Sequence, residues 1–316
     1  MRRAVQFVVG AVVMLAAVEG TTRLVVEPES VLRWHDYGTQ LKVTQLDELG
    51  TVDTVVVGTS MAQQGLVPAV LEELTGRTTY NAALNGGVPR VIEPWLLDQV
   101  VPRAKPSRVV WGLSSIDLSV TYGAATVTAY EGAMATRSGP LAAVDRAVSS
   151  HSRFVSSRAV LRDPSSVVGD IRDERRRDLQ SARAELGERG ERLNFEEAAS
   201  GRRAGEVRDR VNPYALDPDD LAAIVRTVDA LQAQEIEVVF VELPVPPRLM
   251  TLYPDGPATH QRFQSALQLL ADELKVPLAG PSETTSYDDT DFVDFTHLNA
   301  VSANDFSRRT AQQLNP

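Results

Sequence analysis

Val52-Asp53-Thr54-Val55-Val56-Val57-Gly58-Thr59-Ser60, continued by Met61-Ala62-Gln63-Gln64-Gly65-Leu66-Val67-Pro68, decides how this chain is read. A β-branched run with almost no polar interruption reads as a strand buried on both faces, which is the signature of a parallel sheet covered by helices. The run ends abruptly at Gly58, and residues of helical pattern follow, most clearly Pro68 to Thr75. A strand that passes straight into a helix places the residues of the turn, Gly58-Thr59-Ser60, at the carboxyl edge of the sheet.

Working outward, four more short runs read as strands: Thr78 to Asn81, Arg108 to Leu113, Glu237 to Leu243 and Val276 to Ala279. Between them, apolar residues recur at helical spacing over Val91 to Val101, Asp219 to Gln234 and Thr259 to Leu274. Leu221, Ile224, Val225, Val228 and Leu231 form one such stripe. Strand and helix alternation of this kind predicts an α/β fold: a three-layer α/β/α sandwich around a mainly parallel five-stranded sheet. The alternation breaks over residues 124–215, where no strand run occurs and Asp170 to Arg210 is dense in Arg, Glu and Asp. That segment reads as a charged helical insertion between the third and fourth strands. Its mixed-sign runs, such as Arg172-Asp173-Glu174-Arg175-Arg176-Arg177, read as a solvated, salt-bridged helix face.

The first residues differ in kind. Met1-Arg2-Arg3 precedes a run from Ala4 to Val18 whose only polar side chain is Gln6. A basic flank before an apolar run reads as a signal anchor or signal peptide over residues 1–26, with the bulk of the chain on the extracytoplasmic face. A membrane helix is the preferred form, because the Ala16-Ala17-Val18-Glu19-Gly20 stretch offers no clean small-residue cleavage pattern. Residues 27–50 read as a spacer and 51–316 as the α/β domain.

Composition narrows the function classes. The 316 residues carry 32 Lys and Arg against 42 Asp and Glu, a net charge of −10, which disfavours nucleic acid as a partner. There is no cysteine, so thiol nucleophiles, disulfides, iron–sulfur clusters and zinc–thiolate sites fall away. Neither G-x-G-x-x-G nor G-x-x-x-x-G-K-[ST] follows a strand run, which weakens a nucleotide-binding reading. Four histidines, His35, His151, His260 and His297, limit imidazole chemistry.

In a doubly wound sheet, ligands bind beyond the carboxyl ends of the strands. Three exits stand out. Ser60 follows the first strand, where its hydroxyl would project over the sheet edge and its N–H would face an oxyanion; a plain helix cap is the alternative. Asn81-Ala82-Ala83-Leu84-Asn85-Gly86-Gly87 follows the second strand and reads as a glycine loop able to supply another N–H donor, or as a simple turn. Trp111-Gly112-Leu113-Ser114-Ser115-Ile116-Asp117 follows the third and is rich in small polar groups. Near the C-terminus, Asp294-Phe295-Thr296-His297 places a carboxylate three residues before an imidazole. That spacing lets the carboxylate orient the ring while the far nitrogen takes a proton from a serine, although Asp294 or Thr296 would serve equally as the cap of the last helix.

Taken in order, these segments strongly resemble the SGNH (GDSL-like) hydrolase superfamily over roughly residues 50–125 and 235–314. The resemblance implies a flavodoxin-like sheet, with Ser60 as nucleophile and Asp294 and His297 completing a triad. It also implies a site in which the backbone of Ser60 and Gly86, with Asn85 and Ser115 nearby, holds the oxyanion or substrate. Gly58-Thr59-Ser60 departs from G-D-S, and the third block lacks the asparagine of G-x-N-D; Ser115 is the candidate replacement. Val241-Glu242-Leu243-Pro244-Val245-Pro246-Pro247 looks like the fourth-strand exit of envelope members. Gly-x-Ser starts are similar to the membrane-attached branch that includes alginate O-acetyltransferase-like proteins and proteins assisting teichoic-acid D-alanylation. The implied activity is serine-dependent acyl transfer, or ester hydrolysis, on an envelope glycan or small acyl ester, with no cofactor and no metal. A multi-span membrane acyltransferase is an implied partner. The competing class is a non-catalytic glycan-binding or assembly protein that keeps the fold.

Overall fold

A computed structural model describes residues 2–25, 34–123, 127, 148, 152, 186–192, 204–280 and 287–315. They belong to two compact units. One comprises Met1–Gly38 and Tyr130–Arg183; the other comprises Thr39–Ala129 and Ala184–Pro316. The second holds the sheet and every candidate site residue.

The elements run α1 (Arg2–Val25), α2 (Trp34–Leu49), β1 (Thr54–Val57), α3 (Ser60–Gly65), α4 (Pro68–Thr75), β2 (Thr79–Asn81), α5 (Pro89–Trp95), α6 (Val101–Ala104) and β3 (Arg108–Leu113). After the insertion come α7 (Ala204–Val211), α8 (Pro218–Gln232), β4 (Glu237–Glu242), α9 (Pro247–Met250), α10 (Pro257–Leu274), β5 (Leu278–Ala279) and α11 (Ala300–Leu314). All five expected strands form and every pairing is parallel, in the order β2-β1-β3-β4-β5. The apolar reading of β1 is exact, since Val55, Val56 and Val57 are fully buried. Helices α4 and α11 pack together, as do α5 and α8, giving the flanking layers that such crossovers produce.

In this strand order the chain leaves β1 outward to β2 and then returns to β3 on the other side. Connections from β1 and β3 therefore diverge, opening a crevice at their carboxyl ends. Gly58 and Ser114, which directly follow β1 and β3, stand at those carboxyl ends and are buried. Gly58 has φ of 139°, and a Cβ there would stand 2.5 Å from the Gly112 carbonyl oxygen and 2.8 Å from Ala62 Cβ. At Gly87 a Cβ would lie 2.7 Å from the Gly58 oxygen. These contacts press the exits of β1, β2 and β3 against one another, which is why glycine occupies both positions.

Three expectations change. The segment read as a spacer contains α2, which buries Leu46 and also Lys42, only 1% exposed. Lys42 donates its ammonium hydrogens to the carbonyls of Asn81 and Gly190. A lysine as the buried member of a helix face hides the amphipathic signal. The helix expected over Val91 to Val101 is divided, because Pro94 and Pro102 remove backbone donors and a π turn occupies Leu96–Val100. The insertion is not solvated throughout: Asn81 donates its N–H to the Arg189 oxygen at 2.8 Å, so residues 186–192 lie against the end of β2. The charged run 172–177 lies outside the described residues.

The expected N-terminal helix is present as α1, with Thr22 Oγ1 donating to the Val18 oxygen at 2.8 Å. Among the described residues, no helix is long and apolar enough to cross a membrane.

Candidate active site

Ser60 is the first residue of α3, and the cap of that helix is Thr59, whose hydroxyl accepts the Met61 N–H. The capping alternative for Ser60 therefore does not hold. Its hydroxyl is directed instead to His297, with Oγ to Nε2 at 2.8 Å. Both residues are buried.

His297 stands at the end of the tight loop that the isolated bridge of Phe292 with Leu298 closes, just before the start of α11. Val293 donates its N–H to the His297 oxygen at 2.9 Å, and Asn299 donates to the Asp291 oxygen at 2.7 Å. The cap of α11 is Asn299, which accepts the Ser302 N–H at 2.9 Å, so neither Asp294 nor Thr296 has that task. Asp294 Oδ1 accepts the N–H groups of Thr296 and His297 at 2.7 and 2.8 Å, and Oδ2 accepts from His297 Nδ1 at 2.8 Å. Gln64 Nε2 donates to the Leu298 oxygen at 2.7 Å, tying the nucleophile helix to this loop. Arg248 donates to the Asp294 carbonyl and lies over the Phe295 ring at 5.3 Å.

The electrostatics follow from these bonds. Burial acts to raise the Asp294 carboxyl, but the His297 hydrogen bond and charge, with the two backbone N–H groups, hold it well below the usual carboxylate range. An ionised Asp294 fixes the proton on Nδ1 and leaves Nε2 to accept the Ser60 hydrogen. Such a chain makes a serine hydroxyl nucleophilic at neutral pH without a cofactor.

The other predicted residues lie at the same edge of the sheet with different partners. Gly86 is buried at φ of 71° in the turn after β2, and that turn is tied to the nucleophile turn by the Leu84 N–H on the Gly58 oxygen at 2.9 Å. Asn85 precedes it and is half-buried. Ser115 is fully buried, and its hydroxyl pairs with Tyr253 OH at 2.6 Å and His260 Nδ1 at 3.1 Å. Its hydroxyl is thus engaged inside the fold, whereas the sequence pointed to it as a stand-in oxyanion donor.

That network was not legible in advance. His260 Nε2 faces Glu242 Oε1 at 3.5 Å, Gln264 donates to the same oxygen at 2.8 Å, and Tyr214 OH donates to the Ser115 carbonyl at 2.9 Å. Burial lowers His260 to about 4, which favours the neutral ring, and raises Glu242 against the opposing Gln264 hydrogen bond. The available signal was a carboxylate, Glu242, closing the strand after the apolar run Val238 to Val241. Asp117 was also passed over. It is fully buried and accepts the Ser114 N–H at 3.0 Å, and burial pushes it up to about 7. Among the described residues, no group of three or more His, Asp or Glu could hold a metal ion.

No family model matches the chain, and no curated protein matches it. Among solved structures, it is similar to a Bacteroides fragilis protein assigned as an acylhydrolase, at 12% identity over 87% of this chain and 94% of that one, with a TM-score of 0.44. It is also similar to a GDSL-like lipase of Bacteroides thetaiotaomicron, at 10% identity over 88% and 97% of the two chains, with a TM-score of 0.45. Likeness at this distance leaves the functional reading to the geometry of the site.

Proposed function

We propose that this chain is an SGNH-type serine esterase or O-acyltransferase. The observation that carries the reading is the continuous Ser60, His297, Asp294 relay, with both side-chain bonds at 2.8 Å. Ser60 Oγ attacks the ester carbonyl carbon as its proton passes to His297 Nε2. The bond to the leaving alkoxide breaks, the alkoxide takes that proton, and an acyl-Ser60 ester remains. Water or a sugar hydroxyl then gives its proton to His297 and attacks the acyl carbon, and the acyl–Oγ bond breaks as His297 returns that proton to Ser60. The N–H groups of Ser60 and Gly86 serve as oxyanion donors in this reading.

The finer assignment is extracytoplasmic transfer or removal of small acyl groups, acetyl foremost, on an envelope glycan, in the manner of alginate O-acetyltransferase-like proteins. A basic flank before an apolar run supports attachment to a membrane through the N-terminal helix. A multi-span membrane acyltransferase would supply the acyl group. One observation favours the second reading, a non-catalytic glycan-binding or assembly protein: the Ser115 hydroxyl is engaged by Tyr253 and His260 instead of standing in for the missing asparagine.

Acetate release from O-acetylated glycan and from a small acetyl ester separates the two. The enzyme reading expects turnover that disappears in Ser60→Ala. Glycan binding by folded protein, with no acetate release and no acetyl transfer to unmodified glycan, would favour the binding protein.

A further inference from the structure

We propose that Asn81 is a positioning residue for Ser60, its side-chain amide fixing the nucleophile helix α3 against the loop that carries Gly86. The proposal rests on the reading of Ser60 as nucleophile and extends it to a residue outside the relay.

Helix α3 has six residues, too few to hold itself, so its position follows from the bonds at its ends. The last carbonyls of a helix have no partner within it. Here Asn81 Nδ2 donates to the oxygens of Leu66 at 2.9 Å, Ala62 at 3.0 Å and Gln63 at 3.3 Å. An amide has two hydrogens for these three acceptors, so one hydrogen is shared. The other end of the amide sets its orientation, because Oδ1 accepts the Ala83 N–H at 3.0 Å. Asn81 is fully buried as the last residue of β2 and pairs in register with Val56. Its N–H lies on the Arg189 oxygen at 2.8 Å and its carbonyl accepts from Lys42. The amide thus projects from a backbone fixed on both sides.

Two side chains then place α3. Gln64 joins it to the loop of His297 through the Leu298 oxygen at 2.7 Å. Asn81 joins it to the exit of β2, since the Ala83 N–H it holds lies three residues before Gly86, the second oxyanion donor in the proposed reaction. Removing the amide leaves Ser60 and His297 joined but releases the pair to tilt relative to Gly86. At about 1.5 Å per residue α3 is roughly 9 Å long, so a tilt of about 7° about its C-terminal end moves Ser60 by about 1 Å. A displacement of that size costs up to about a hundredfold in rate. The loss falls on alignment of the attacked carbonyl with the oxyanion donors, which matters in the transition state and little in the bound ground state.

The test is the second-order rate constant for fluorophosphonate labelling of Ser60, with kcat and KM on an acetyl ester, in the full chain. Asn81→Asp keeps the shape and the acceptor for Ala83 but turns an acceptor oxygen toward the three carbonyls of α3. It is expected to slow labelling and kcat by about 10- to 100-fold, with KM changed less than about threefold. Val228→Ala is the comparison, since Val228 is buried on α8 and has no place in the site. It should lower the thermal midpoint while keeping kcat within about twofold of wild type.

Wild-type rates in folded Asn81→Asp, a loss carried by KM, or an equal loss of kcat in Val228→Ala would overturn the proposal while leaving the enzyme reading intact. Should Asn81→Asp not fold, Asn81→Ser decides, with a loss of at least about fivefold in kcat at unchanged KM expected from its single, shorter donor. If neither folds, Asn81 serves the fold alone and the proposal fails. A folded wild type that takes no label would overturn the proposal and the enzyme reading together.

Discussion

The carboxyl edge of this sheet carries two clusters built from the same residue types, and they are tuned in opposite directions. In one, Ser60 and Asp294 bond the two nitrogens of His297 at 2.8 Å each. In the other, Ser115 bonds His260 Nδ1 at 3.1 Å while Glu242 stands 3.5 Å from Nε2. The first carboxylate is held ionised by two backbone N–H groups and the imidazole; the second is raised by burial, with only Gln264 opposing. Among the described residues the side-chain partner of the first serine is the imidazole, and the second serine is also bound by Tyr253. A serine, a histidine and an acid therefore do not make a triad by presence alone. The acid must be held charged on Nδ1, and the hydroxyl must be available on Nε2.

The contrast is sharpest in the largest expected effects. Ser60→Ala or His297→Ala should lower kcat on an acetyl ester by up to about a million-fold with little change in thermal midpoint, whereas Ser115→Ala should stay within about tenfold of wild type. Equal losses from Ser60→Ala and Ser115→Ala would break the comparison. Asp294→Asn should cost on the order of ten-thousand-fold in kcat, because the ring loses the partner that selects its tautomer. Retained activity in that variant, followed by the same assay, would remove Asp294 from the relay.

His260→Ala is expected to act on stability instead. It removes the imidazole from between Ser115, which keeps Tyr253, and Glu242, which keeps Gln264, and opens a buried space, costing about 1–3 kcal/mol, measured as a lower urea midpoint at unchanged m-value. The smallest effect is a pH dependence. Burial lowers His260 from 6.5 to about 4 in the folded chain, so its contribution to stability is complete above 6.5 and is lost as pH falls through about 4. Unfolding free energies between pH 7 and 4 should fall more steeply in wild type than in His260→Gln. Parallel curves would show that His260 is not buried as described.

Much of this architecture is legible in the sequence because its signals are local. Val55 to Val57 announce a doubly buried strand, and the break at Gly58 announces the turn that holds Ser60. Asp294 and His297 were readable together because they sit three residues apart on one loop. Pairings that close across long separations were not. Nothing local to Lys42 shows that it meets Asn81 and Gly190, and nothing local to His260 shows that it meets Ser115. Capping was likewise decided by neighbours: Thr59 and Asn299 take the helix starts for which Ser60, Asp294 and Thr296 were equally suited by type. Ser115 illustrates the limit most clearly, since its place after β3 follows from the pattern but its partners, Tyr253 and His260, lie on distant segments.

The central claim is that Ser60 is activated by His297 and that the second cluster is not a nucleophile. Fluorophosphonate treatment of wild type, His297→Ala and His260→Ala, followed by peptide mapping of the adduct, tests it most directly. The account predicts a single adduct on Ser60 in wild type and His260→Ala, and none in His297→Ala. An adduct on Ser115, labelling of Ser60 that persists without His297, or folded wild type that takes no label would contradict it.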